Sequence, residues 1–139
     1  MVSEHLNSFL CNMNVLARRI SSQNNLSLSQ YYTLTGIPSS GISMSELSLI
    51  LGIDNSTLTR NINILINRSL LQKKQSLEDK REQIVLLSSK GVRIVEKLDI
   101  DMEKLLTQFV SDIDEDQRQL FIDTLERLNW KMNCYINDL

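Results

Sequence analysis

The sequence predicts a mainly α fold, α+β in the strict sense because it also contains one β-hairpin. The 139 residues include only four glycines and one proline, so few positions interrupt a helix. Apolar residues recur at intervals of three and four along much of the chain, which is the period of an amphipathic helix. Between residues 70 and 87, two short apolar runs instead flank a polar loop, as in a hairpin.

The N-terminal segment is predicted to form a helix over residues 3–22. Its apolar side chains make a broad stripe, while Cys11 and Val15 lie on the opposite side. A helix with apolar residues on two sides is often packed between two partners. A second, shorter helix is expected to begin with Ser29 as its N-cap and to end near Ile37.

Residues 42–67 are predicted to form two helices joined by a tight turn. Ser43 and Glu46 have the spacing of a capping box, which satisfies N–H groups at a helix start. Gly52 can adopt the left-handed backbone that ends a helix, and Asp54 can cap the next one. This arrangement is typical of a helix-turn-helix motif.

The second of these helices has a polar face without any acidic side chain. That face carries hydroxyls, amides and one guanidinium, which can bond phosphates and base edges in a major groove of DNA. The alternative is an ordinary exposed helix, which more often carries Glu and Lys. We predict that this helix contacts DNA through four residues: Ser56, Thr57, Arg60 and Asn63.

The predicted hairpin has strands over residues 70–74 and 83–87, and its polar loop is long enough to project. A helix-turn-helix followed by a projecting hairpin is a winged helix, in which the hairpin, or wing, borders the DNA backbone or the minor groove. Between residues 56 and 90, seven basic residues and three acidic ones give a formal charge of +4, in a chain whose net charge is −2. Such a basic patch concentrates nucleic-acid binding on one face.

Four basic residues of the hairpin are candidate DNA contacts. Lys73 and Lys74 are expected to meet phosphates. Arg81 is expected to enter or border the minor groove, with Lys80 beside it. Asp79 is expected to support the wing by orienting Arg81 or another basic side chain, without touching DNA.

Two long amphipathic helices are predicted in the C-terminal part. One begins near Ser89, and the other covers residues 115–136 after a capping box formed by Asp114 and Gln117. Trp130 lies off the apolar stripe of the last helix. Apolar residues outside the main stripe also have to be buried. In so short a chain, they are expected to be buried against a second copy of the chain. The alternative is a monomeric helical bundle.

Several of these segments resemble the MarR-type bacterial transcription regulators. The similar elements are residues 56–60 at the start of the recognition helix, Asp79-Lys80-Arg81 in the wing, and residues 87–91 after it. With the flanking helices included, the resemblance covers nearly the whole chain. Three positions depart from the residue that is usual in the family: Ser69 for Gly, Lys73 for Arg and Ser88 for Thr.

The resemblance implies a homodimer that binds a pseudo-palindromic operator in double-stranded DNA. It also implies repression that is relieved by a small, often phenolic or other aromatic ligand bound between the DNA-binding and dimerisation parts, for which the residues themselves show no signature. Residues 26–90 would form the winged helix-turn-helix part. Residues 1–22 and 91–139 would form a helical dimerisation part.

Other functions are disfavoured by what the sequence lacks. His5 is the only histidine, and the two cysteines do not have the spacing of a metal site. No nucleotide-binding or hydrolase motif is present, so neither an enzyme nor a cofactor is expected. There is no apolar run that could span a membrane and no signal peptide, which favours a cytoplasmic protein with free thiols.

Two alternative functions stay open. The first is a thiol-based redox-sensing regulator, because some members of the resembled family sense peroxides through a thiol on the first helix. No charge or tyrosine that would activate Cys11 is evident, so a packed or inert Cys11 is favoured. The second is a winged helix that serves as a protein-interaction module, against which the basic segment argues.

Overall fold

The structure, a computed structural model, describes residues 1–139 and contains six α-helices and one three-stranded antiparallel sheet. The mainly helical class with a hairpin is therefore confirmed. No helix combines the length and the apolar character needed to cross a membrane. The elements are α1 Val2–Gln23, α2 Leu28–Thr35, β1 Ile42–Ser43, α3 Met44–Leu51, α4 Asn55–Asn67, β2 Leu71–Gln75, β3 Gln83–Leu87, α5 Ser89–Phe109 and α6 Glu115–Asn137.

Four of the predicted helix starts can be compared with the structure, and the Asp54 cap of α4 is present as predicted. The capping box of Ser43 and Glu46 opens α3 as predicted. The start of α2 was predicted wrongly, because Ser27 and Gln30 form the capping box there, with both hydrogen bonds at 3.1 Å. Asp114 is the N-cap of α6 but its side chain makes no capping hydrogen bond, so the second predicted box is absent.

The chain divides into two compact units, residues 1–102 and 103–139. The core of the first unit collects side chains from α1 to α5 and from the sheet, and α4 contributes three leucine or isoleucine side chains to it. This burial of one face of α4 holds the helix in place while its opposite face stays in solvent. The fully buried apolar side chains are Ile20, Leu34, Leu47, Leu58, Ile62, Leu65, Leu70, Val85 and Leu98.

The sheet has the strand order β1-β3-β2. β2 and β3 pair in register from Leu71 opposite Leu87 to Gln75 opposite Gln83. β1 consists of two residues and was not predicted, because so short a strand has no periodicity of its own. It adds to β3 and so links the start of α3 to the wing.

The end of α4 explains why β2 begins one residue later than predicted. Ser69 adopts a left-handed backbone with φ of 60°. Its N–H donates to the carbonyl of Ile66 at 2.8 Å, and the N–H of Leu70 donates to the carbonyl of Leu65 at 2.9 Å. These two bonds form a Schellman motif, which satisfies the last carbonyls of a helix. Leu70 therefore belongs to the helix end rather than to the strand.

Ser88 and Gly91 join the end of the wing to the end of α4. The Ser88 hydroxyl donates to the carbonyl oxygen of Ser69 at 2.6 Å and accepts the N–H of Gly91 at 2.9 Å. The Ser88 N–H donates to the carbonyl oxygen of Leu70 at 3.0 Å. A Cβ atom at position 91 would lie 2.0 Å from that same Leu70 oxygen, so only glycine fits there.

The second unit consists of the end of α5 and of α6. No residue of α6 is buried. Trp130 is 67% exposed, and the other large apolar side chains that α6 exposes are Leu120, Phe121, Ile122, Met132, Tyr135 and Ile136. The single chain thus leaves a long helix with apolar residues in solvent, which is unusual for a protein that acts as a monomer.

Gly91→Ala is expected to destabilise the chain by about 1–3 kcal/mol, because the added methyl group collides with a backbone oxygen that cannot rotate away. The measurement is the urea dependence of far-UV circular dichroism. The matched control is Ser89→Ala in the same helix, which should change stability by less than about 0.5 kcal/mol. Equal stability of the two variants would contradict the close approach of residues 70 and 91.

Candidate DNA-binding surface

The recognition helix α4 presents a continuous polar face to solvent. Arg60 and Asn63 both lie on it and are exposed, as predicted from their spacing. The two ion pairs of the structure, Met1 with Glu4 and Lys97 with Asp101, both lie outside α4. The Arg60 guanidinium is therefore not held by a carboxylate of its own chain.

Ser56 and Thr57 take part in a cap at the start of α4. One oxygen of the Asp54 carboxylate accepts the Ser56 hydroxyl at 2.6 Å and the Thr57 N–H at 2.7 Å. The other oxygen accepts the Thr57 hydroxyl at 2.9 Å. Ser56 is exposed, but Thr57 is half-buried. In the free chain both hydroxyl donors are thus occupied, and their contact with DNA stays a prediction.

This cap lowers the pKa of Asp54 to about 2, with the Ser56 hydroxyl as the largest cause, followed by the N–H and the hydroxyl of Thr57. Each of these donors bonds the charged carboxylate, which favours the ionised form. The negative charge also lies at a helix N-terminus, where the helix dipole is complementary to it. Asp54 therefore stays charged at neutral pH, beside the residues expected to meet DNA.

Three further residues share the exposed face of α4 and were not among the predicted contacts: Asn55, Thr59 and Asn67. Steps of 100° per residue place Thr59 and Asn67 on either side of Asn63, so helical spacing alone could have identified them. They extend the polar face over the whole length of the helix. The hydrogen-bonding groups of this face are amides, hydroxyls and the guanidinium of Arg60.

The tip of the wing is closed by its own hydrogen bonds. The Ser76 N–H donates to the carbonyl oxygen of Glu82 at 2.9 Å, and the Glu82 N–H donates to the carbonyl oxygen of Asp79 at 3.0 Å. The Ser76 hydroxyl accepts the N–H groups of Glu78 and Asp79 at 3.2 and 3.3 Å. The side-chain amide of Gln75 donates to the carbonyl oxygen of Lys80. Because these bonds link both sides of the loop, the tip has a defined shape.

Asp79 has a different partner from the one expected. Its carboxylate accepts the backbone N–H of Arg81 at 2.9 Å, and it forms no ion pair with a basic side chain. This is the local turn that aspartate side chains commonly form with the backbone two residues later. Asp79 thus shapes the loop that carries Lys80 and Arg81, both of which are exposed.

Lys73 and Lys74 lie on opposite faces of the hairpin, because successive strand residues point to opposite sides. Lys73 pairs with the buried Val85 and is half-buried, whereas Lys74 pairs with Ile84 and is exposed. The side chains of Lys73 and Lys74 therefore extend from opposite faces of the sheet. The expectation that both meet phosphates stays a prediction, and Lys74 has the freer side chain.

Side-chain hydrogen bonds link the wing to the start of α3, and link the end of α4 to α5 and to the loop before α2. The Ser45 hydroxyl at the start of α3 donates to the Glu82 carboxylate at 2.9 Å. At the other end, Lys90 donates to the carbonyl oxygen of Arg68 at 3.1 Å, and Arg68 donates to the carbonyl oxygen of Asn25 at 2.7 Å. Of the seven basic residues between positions 56 and 90, Arg68 and Lys90 therefore donate to backbone carbonyls of this chain. Arg60, Lys74, Lys80 and Arg81 are exposed.

The two cysteines lie outside this surface. Cys11 on α1 and Cys134 on α6 are free thiols, and both are exposed in the single chain. The expectation that Cys11 is packed or inert stays a prediction, although the thiol is exposed in the single chain. No group of three or more His, Cys, Asp or Glu side chains could hold a metal ion.

The helix pair α3–α4, followed by the anchored wing, defines a winged helix-turn-helix protein. A family model described as transcriptional regulator SarA/Rot matches residues 15–98. The chain belongs to this family. The predicted class, a DNA-binding transcriptional regulator with the winged helix of the MarR type, is therefore confirmed.

Two relatives are uncharacterized HTH-type transcriptional regulators. YdgJ of Bacillus subtilis (strain 168) is 26% identical over 92 residues, which cover 66% of this chain and 56% of that protein. The match thus spans little more than half the length of YdgJ. A protein of Staphylococcus aureus (strain Mu50) is 28% identical over 117 residues, which cover 82% of this chain and 80% of that protein.

Solved structures of MarR proteins have the same fold. A MarR transcriptional regulator from Methanosarcina mazei Go1 has a TM-score of 0.82 at 18% identity, and the match covers 96% of this chain and 97% of that chain. The apo form of wild-type MarR from E. coli has a TM-score of 0.75 at 22% identity, covering 95% and 96%. The similarity extends over nearly the whole of each chain, including the terminal helices.

Asp54→Ala is expected to lower the urea midpoint of unfolding at neutral pH, because it removes the cap of α4. The folded-state pKa lies below the ordinary carboxyl value, so the stabilisation by the charged cap is complete above a pH of about 4. It is lost as the pH falls towards about 2.

The matched control is Asp54→Asn, whose amide oxygen can still accept the Thr57 N–H but does not titrate. Urea midpoints measured between pH 7 and pH 2 should fall more steeply for the wild-type chain than for Asp54→Asn. Parallel curves for these two proteins would show that the cap charge does not stabilise the fold.

Proposed function

We propose that the chain is a homodimeric repressor that reads a pseudo-palindromic operator in double-stranded DNA. In this proposal α4 enters the major groove and the wing borders the adjacent minor groove. The observation that carries it is the polar face of α4, which has no acidic side chain and bears an arginine free of ion pairs. Such a face matches the base edges and phosphates of a major groove.

Arg60 and Arg81 have separate roles in this proposal. Arg60 is on a rigid helix, where a fork of two N–H donors can bond one guanine and so discriminate between bases. Arg81 is on the wing, where it contributes to affinity through phosphates and the groove potential. Asn63 beside Arg60 can read an adenine through its amide. Helix α4 thus provides specificity, and the wing mainly provides affinity.

Homodimer formation is supported by the apolar side chains that the single chain leaves in solvent. On α1 they are Val2, Leu6, Phe9, Leu10 and Val15, and on α6 Trp130 is prominent among them. In this proposal residues 1–22 and 91–139 form the dimerisation part, and residues 26–90 form the DNA-binding part. A twofold dimer presents two copies of α4, which matches a pseudo-palindromic site.

Relief of repression by a small aromatic ligand is supported by a cavity of 270 Å³ lined by Ser29, Tyr32, Ile50, Leu51 and Ile53. This cavity lies within the DNA-binding part rather than between the two parts, where the resemblance implies the ligand. Its size is slightly below the usual range of ligand pockets, about 300–1,000 Å³. The Ser29 hydroxyl accepts the side-chain N–H of Asn61 in α4 at 2.6 Å. A ligand that displaces Ser29 would therefore act directly on the recognition helix.

Arg60→Ala is expected to weaken binding to the operator by about 1–3 kcal/mol, because a good bidentate base contact contributes this much discrimination. Its effect on scrambled DNA should be much smaller. Affinity is measured by fluorescence anisotropy on an operator recovered from random duplexes. Arg19→Ala, an exposed arginine of α1, is the control and should bind both duplexes like the wild type.

Arg81→Ala is measured by the same anisotropy assay over a series of salt concentrations and should weaken binding to both duplexes. In a dimer it removes up to two phosphate contacts, so the slope of log K against log salt becomes shallower by up to about 1.8. Equal losses of Arg60→Ala on operator and scrambled DNA, with an unchanged salt slope for Arg81→Ala, would contradict this division of roles.

Sedimentation at micromolar concentration is expected to give a dimer. Trp130→Glu places a charge in the proposed interface and should raise the dimer dissociation constant at least about tenfold. Asn129→Glu changes the neighbouring exposed position of α6 and serves as the control, which should leave the constant nearly unchanged. If the wild-type chain is folded but sediments as a monomer, the homodimer is ruled out.

A further inference from the structure

The most exposed large apolar side chain of the protein is at the tip of the wing. Leu77 is 99% exposed, more than either terminal residue of the chain. It forms no packing contact that could hold the loop together, so the fold does not need a leucine at this position. An apolar side chain projecting from a DNA-binding element is available for a contact that forms only in the complex.

The backbone around Leu77 holds it in a defined direction. Ser76, directly before it, bonds Glu82 across the loop through its backbone, and the Ser76 hydroxyl accepts the N–H groups of Glu78 and Asp79. Asp79 adds a further bond to the N–H of Arg81. Because the loop is already ordered, fixing Leu77 in a complex costs only the freedom of one side chain.

Charge alone does not explain how the tip would bind DNA. Lys80 and Arg81 are balanced there by Glu78 and Asp79, so residues 77–81 have no net formal charge. Beyond the individual contacts of Lys80 and Arg81, the loop therefore has no net charge that would attract it to phosphates. Leu77 is followed by five charged residues and has no contiguous apolar patch around it in sequence, which does not fit a protein-docking surface.

We propose that Leu77 is an apolar wedge that enters the minor groove and partly unstacks one base step on each side of the operator. Minor-groove proteins use apolar side chains in this way to bend DNA and to enlarge the contact. The inference rests on the proposed function, because it requires the wing to lie at the minor groove. The favoured steps are TA and CA/TG, which unstack at the lowest cost. Leu77 thereby contributes to specificity where no base-edge hydrogen bond is made.

The test uses the full-length chain and an operator recovered from random duplexes, with 2-aminopurine placed in turn at each adenine of the flanks. The fluorescence of this base rises when it is unstacked. The wild type should raise it at one flanking step in each half-site. Leu77→Gln, which is of similar length but polar, should abolish the rise and weaken binding roughly tenfold, or about 1.4 kcal/mol. Leu77→Phe should preserve both effects.

Two controls separate a wedge from other roles. All Leu77 variants should melt like the wild type, since the side chain is almost wholly in solvent. Replacing the flanking step by AA, which is stiff in A-tracts, should weaken binding of the wild type but not of Leu77→Gln. This coupling between the residue and the step would not arise if Leu77 had only a structural role.

Unchanged affinity and fluorescence in Leu77→Gln would overturn the proposal. A loss of affinity in Leu77→Gln without a change in fluorescence would also overturn it. So would a loss of affinity found only on duplexes that bind several dimers, because Leu77 would then contact protein rather than DNA. Failure of the wild type to select any sequence would instead overturn the proposed function, so the two failures are distinguishable.

Discussion

The close approach of Gly91 to the carbonyl of Leu70 is the constraint on which the geometry of the DNA-binding part depends. At this point the end of α4, the return strand of the wing and the start of α5 meet, and Ser88, directly after that strand, hydrogen-bonds the end of α4 and the start of α5. The recognition helix and the wing therefore have a fixed relation without a large interface between them. A side chain at position 91 would separate them, which would alter how both elements reach one stretch of DNA.

Most of the fold could be predicted from the sequence, because its helices have strong apolar periodicity and its capping residues stand at defined spacings. The errors occurred where several residues carry the same signal. Ser27 and Ser29 could both cap α2, and only packing decides that Ser29 instead bonds Asn61. β1 is formed by pairing with β3, so nothing in its two residues predicts it.

The candidate site was predicted less completely than the fold. The polar face of α4 follows from helical spacing, so Arg60 and Asn63 could be placed on it. Residue spacing does not predict side-chain hydrogen bonds. The sequence therefore does not predict that the hydroxyls of Ser56 and Thr57 donate to the Asp54 carboxylate. Lys73 and Lys74 were treated as equivalent although strand alternation separates them. Which residues touch DNA depends on a partner that the sequence does not describe.

The requirement for glycine at position 91 also bears on how such a regulator can diverge. Every other residue has a Cβ atom, which would lie 2.0 Å from a backbone oxygen, so any substitution at this position would displace the backbone. The solvent-facing side of α4 carries no such restriction, since exchanges among its exposed polar residues leave the core intact. Gene duplication followed by drift can therefore produce paralogues that recognise new promoters while they keep an unchanged frame between helix and wing.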